Sequence, residues 1–75
     1  MKYAIVDAEK AAAAGINLVT HRVCDGKTVL NENELRMLVK GGAATSNTAA
    51  AKALGATGLK GRLATREVVK FWRKE

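Results

Sequence analysis

Large apolar side chains are scarce in this chain, and that scarcity limits what it can fold into. Leu, Ile, Val and Phe account for only 17 of its 75 residues, whereas Ala alone accounts for 14. Chains with less than roughly one-fifth Leu, Ile, Val and Phe and a high net charge are usually disordered. This one lies just above that level, so it is expected to fold around a thin core of modest stability. A chain of this length has room for one core, and residues 1–75 read as a single small domain. A partner or a second copy covering apolar surface would help such a core.

Local signals place the elements. Residues 2–6 read as a short strand that ends at Asp7. Asp7 is positioned as an N-cap, Glu9 favours the positive helix end, and Ala11 to Ala14 are strong helix formers. Together they predict a helix over 8–14, ended by Gly15. Residues 18–24 and 27–30 are rich in β-branched side chains and are separated by Asp25-Gly26. That dipeptide suits a two-residue turn with positive φ at both positions, which predicts a β-hairpin pairing 18–24 with 27–30. Asn31 and Glu34 have the spacing of a capping box, with Asn in place of the usual Ser or Thr. Leu30 and Leu35 flank it as a hydrophobic staple. Leu35, Leu38 and Val39 then share one face, predicting a helix over 32–40 that Gly41-Gly42 ends.

Residues 41–58 consist of Gly, Ala, Thr, Ser and Asn apart from Lys52 and Leu54. Thr45, Ser46 or Asn47 can cap a short helix over 48–54, closed by Gly55 and anchored by Leu54 alone. The stretches 41–47 and 55–61 read as flexible loops. Leu59, Gly61 and Leu63 alternate with Lys60 and Arg62, which permits an edge strand over 59–63, with a loop as the alternative. Thr65 caps a last helix over 66–74. The expected fold is a small α+β domain, with a mostly antiparallel sheet covered on one face by helices.

The net charge is +6, and +5 of it lies in residues 52–75, where seven Lys and Arg meet only Glu67 and Glu75. Arg66, Lys70, Arg73 and Lys74 fall on one helix face at i, i+4, i+7 and i+8. Val68, Val69 and Trp72 form the other side, with Phe71 beside them. Lys60 and Arg62 lie on the Gly-rich approach. These six basic residues are the candidate nucleic-acid-binding set. A row of ammonium and guanidinium groups can follow the phosphates of DNA or RNA, drawing affinity from counterion release. The same periodicity is what a solvated amphipathic helix shows, its cations complementing the C-terminal dipole, and that plainer reading carries more weight. The alternative function is a protein-interaction or structural domain, paired with itself or with another protein, the charge then serving solubility. A helix this short fits less well as one lying on an anionic membrane.

Gly58-Leu59-Lys60-Gly61 is a G-x-x-G with a basic residue inside it, the pattern with which KH domains clamp a nucleotide backbone. Two free positions in four make this a common chance pattern, so a plain loop is the first reading. The spacing also misses the phosphate-binding loop, which needs Gly where Lys60 stands. A helix-turn-helix over 48–63 is countered by Gly55, Gly58 and Gly61, which fall where its recognition helix would begin.

Catalysis finds little to work with. His21 and Cys24 lie three apart on a predicted strand and would point to opposite faces, so they form no local base–nucleophile pair. His21 shares a predicted face with Val19 and Val23 and reads as a packed histidine. One His and one Cys cannot complete a four-ligand zinc site. Asp7, Glu9, Glu32 and Glu34 are accounted for as caps and first-turn charges, and Ser46 has no base nearby in sequence. The chain is therefore not expected to be an enzyme, to need a cofactor or metal, or to bind a small molecule. Cys24 is the only cysteine, which rules out an intrachain disulfide and suits the reducing cytoplasm. Asp7 interrupts the first apolar stretch before a signal-peptide core could form, and no apolar run approaches the roughly 20 residues of a membrane span.

Overall fold

The computed structural model describes residues 2–19, 21–63 and 65–66. In chain order its elements are β1 (Tyr3–Asp7), α1 (Ala8–Ala13), β2 (Lys27–Asn31), α2 (Glu32–Lys40) and α3 (Asn47–Ala53). They form a small α+β fold with a two-stranded antiparallel sheet. The register places Ala4 opposite Leu30 and Val6 opposite Thr28, with Tyr3, Ile5 and Asp7 opposite Asn31, Val29 and Lys27.

Directly opposed residues share a face, so this register sorts the side chains into two sets. Ala4, Val6, Thr28 and Leu30 turn inward and are buried. All but Thr28 join Ala11 of α1, Leu35 of α2, and Ala50, Ala51 and Leu54 from α3 and its end, forming the main core. Three of those five helix residues are Ala, so the helices can lie close to the sheet. On the outer face Val29 and Leu63 form a second, smaller cluster, with Tyr3, Ile5 and Cys24 packed against it.

The hairpin expected from 18–24 and 27–30 is corrected at the strand level. Its turn forms: Asp25 and Gly26 both have positive φ, 53° and 74°. Cys24 and Lys27 exchange both backbone hydrogen bonds, at 2.9 and 3.0 Å. The ladder then stops, and β2 takes β1 as its partner along its other edge. Two local bonds turn the 18–24 segment away. The His21 amide donates to the Leu18 carbonyl at 3.0 Å, and Thr28 Oγ1 donates to the Arg22 carbonyl at 2.9 Å. His21 points inward at 2% exposure while Val19 stands 79% exposed, so the face they were expected to share does not exist. β-branched content reports fit to a half-buried pleated surface, and the non-local β1 supplies that surface better than the adjacent segment.

Of the two readings of 59–63, edge strand or loop, the structure shows a loop with one bridge. Tyr3 and Lys60 exchange two backbone hydrogen bonds of 2.7 Å each. Glycines on both sides, Gly58 and Gly61, weaken any continuation. The helix expected over 32–40 is found at those bounds, and those over 8–14 and 48–54 differ by a residue at their ends. Thr65 and Arg66 are helical, and the rest of the helix expected over 66–74 lies outside the described residues.

Candidate nucleic-acid interface

The side chains that could meet a ligand are positioned by three local devices. The first is the end of β1. Asp7 caps α1 by position, but its carboxylate makes no cap hydrogen bond. It instead accepts from Lys27 Nζ at 2.9 Å and lies 3.6 Å from Lys10 Nζ. The first amide of α1, on Ala8, donates to the Gly26 carbonyl at 2.8 Å, and the Asp7 amide donates to the Leu54 carbonyl at 2.8 Å. The expected side-chain cap is therefore replaced by backbone bonds from the turn and from the end of α3. The hydrogen bond from Lys27 holds the Asp7 carboxyl below its ordinary value of 3.8, and the Lys10 charge adds to this.

The second device is the capping box. The Asn31 side chain accepts from the Glu34 amide at 3.0 Å, and Glu34 Oε1 accepts from the Asn31 amide at 3.1 Å. The other Glu34 oxygen, Oε2, lies 2.6 Å from Nε2 of buried His21. A carboxylate only accepts, so Nε2 carries the hydrogen. His21 Nδ1 is buried without a partner among the described residues. One carboxylate thus closes a helix N-terminus and ties the 18–24 segment to it. Sequence reasoning found the box from its spacing. It missed the link to His21, because no periodicity relates a loop residue to a helix 13 positions on.

The third device is the Tyr3–Lys60 bridge, which fixes the Gly58–Gly61 loop against the outer edge of β1. Lys60, Arg62 and Arg66 are exposed along the chain leaving that bridge. Lys70, Arg73 and Lys74 lie outside the described residues. The positive field is broader than the terminal segment. No acidic residue occurs between Glu34 and Glu67, and all six cations in that interval are exposed: Arg36, Lys40, Lys52, Lys60, Arg62 and Arg66. Cys24 is a free, half-buried thiol beside the outer cluster.

Among the described residues no group of three or more His, Cys, Asp or Glu side chains is placed to hold a metal ion, and no helix is long and apolar enough to cross a membrane. The fold and its charged rim define the class as a small α+β protein with a basic surface. No protein-family model, curated protein or solved structure matches the chain.

Proposed function

We propose that this protein is a small non-enzymatic accessory module of the cytoplasm that binds nucleic acid through its basic C-terminal third. Lys60, Arg62 and Arg66 would meet phosphates, with Lys70, Arg73 and Lys74 continuing the set. The carrying observation is the run of exposed cations uninterrupted by acid, with Lys60 pinned by backbone to β1. A pinned cation loses less freedom on binding than one on a loose tail. Binding through four phosphate contacts gives a slope of log K against log salt of roughly −3 to −4 on duplex DNA. Replacing Arg62 and Arg66 by Gln flattens it by about two units. Absence of binding to any DNA or RNA oligomer at about 50 mM salt overturns the reading.

The exposure of two large apolar side chains, Val19 and Met37, at 79% and 67%, favours a second reading, in which one or both meet another protein or a second copy. Light scattering tests the second copy: a mass that rises with concentration supports self-association, and a constant monomer mass removes it and leaves only another protein as the occupant.

A further inference from the structure

We propose that the nucleic acid taken is single-stranded, and that Tyr3 is the residue on which a base stacks. This rests on the binding reading above. Tyr3 and Lys60 are directly opposed across an antiparallel bridge, so their side chains stand on the same, outer face of the sheet. On its other side Tyr3 is opposed by Asn31, whose side chain is engaged in capping α2. The centre of this face is closed: Val29 is fully buried and Leu63 is 9% exposed. Tyr3 packs against that pair, as Ile5 does, and is half-buried. Exposed Lys60 lies across the bridge on that face, and exposed Arg62 follows it in the chain.

The arrangement therefore sets one aromatic ring and the cation of Lys60 on the same face of a surface held by backbone hydrogen bonds. Cations alone track any phosphate backbone, single or double. An aromatic face adds affinity only when a base is free to leave its neighbours and lie on the ring, which duplex bases are not. The ring is also where sequence tolerance would arise, because every base has a π-face. Tyr3 is the sole tyrosine of the chain, so its ring gives one assignable signal.

The test uses the full chain, with an oligothymidine of roughly 12 nucleotides and a duplex of the same length as probes. Ring carbon and proton resonances of labelled Tyr3 are followed by NMR, and affinities are measured at about 50 mM salt. The single strand is expected to bind roughly tenfold tighter than the duplex and to shift the Tyr3 ring protons upfield. Tyr3→Leu is expected to lose about tenfold on the single strand, with duplex affinity and salt slope unchanged. Tyr3→Phe, which keeps the ring and the outer-face packing, should stay within about twofold of the parent. Equal binding of both probes without a ring shift overturns this inference and leaves nucleic-acid binding standing. Loss of single-strand affinity in Tyr3→Phe overturns the stacking role. Absence of binding to either probe overturns the functional reading itself.

Discussion

At the scale of single residues, Asp7 and Gly55 depend on one another. Gly55 has φ +92°, and a Cβ placed there would come within 2.8 Å of Asp7 Cγ. Gly15 has nearly the same φ, +93°, but a Cβ there would meet nothing within 4 Å. Gly15→Ala is therefore expected to cost about 1 kcal/mol from backbone strain alone. Gly55→Ala should cost about 1–2 kcal/mol more, because the carboxylate must move off Lys27 or the helix end must shift. Urea midpoints of the two variants read the difference, and equal midpoints would show that Asp7 has room to spare. The charge of Asp7 makes a separate prediction. Its folded pKa lies below 3.8, so the unfolded chain binds the proton more readily, and the stability Asp7 contributes is present above that value. It is lost as pH falls through the lower folded value. Wild type should thus exceed Asp7→Asn in urea midpoint near neutrality, and the gap should close below about pH 4. A gap constant from neutral to strongly acid pH would refute the ion pair's role.

At the scale of elements, α1, α2 and α3 share one ending, and that ending was readable. In each, a glycine with positive φ follows the last turn: Gly15, Gly42 and Gly55. The next residue's amide reaches back to the third-last helical carbonyl, from Ile16 to Ala11, Ala43 to Leu38 and Ala56 to Ala51, at 3.0–3.1 Å. This is the Schellman arrangement, and it depends only on residues adjacent in sequence. The start of α2 is equally local, which is why its bounds could be read from Asn31, Glu34 and the staple. Strand pairing was not local. Residues 18–24 carry strand composition, yet β2 closes on β1, 28 positions away at the Tyr3–Asn31 pair. The candidate site divides in the same way. Charge counting reached Lys60, Arg62 and Arg66, but Tyr3 enters only once the Lys60 bridge is known. The tie between α2 and the 18–24 segment yields a further prediction. Glu34→Ala removes the side-chain half of the box and the partner of His21, at an expected cost of about 2–3 kcal/mol. Glu34→Gln keeps a side-chain oxygen for the box, and its NH2 donates to His21 Nε2 once the ring takes its other tautomer, so it should cost about 1 kcal/mol. Chemical denaturation followed by circular dichroism separates the two. Equal losses would mean that the carboxylate charge, rather than the hydrogen-bond geometry, holds the segment.

At the scale of the whole molecule, the question is how so little apolar bulk among the described residues holds α1, α2 and α3 on two strands. α1 has six residues and α3 seven, lengths at which an isolated helix is not stable in water. Their stability must come from packing, yet among the described residues the largest fully buried side chains are Leu30, Leu35, Val6, Val29 and Thr28. Much of the remaining main-core surface is Ala: Ala4, Ala11, Ala50 and Ala51. Two accounts of these alanines differ in their consequences. If Ala merely fills space that larger groups would fill better, enlarging one should add buried area and stabilise by about 1 kcal/mol or more. If Ala sets the distance at which α3 meets the sheet, enlarging it forces that layer apart and costs about 1–3 kcal/mol. The geometry favours the second account. Ala51 is fully buried, and its carbonyl also accepts the closing bond from Ala56. Displacing that turn would also disturb Gly55 against Asp7 and the Leu54 carbonyl against the Asp7 amide. Ala51→Leu is therefore expected to lower the melting temperature by at least about 5 °C for a domain of this size. Ala53→Leu, on the exposed side of the same helix, should leave it within about 3 °C. A rise in melting temperature for Ala51→Leu would mean that the core is under-filled rather than closely set.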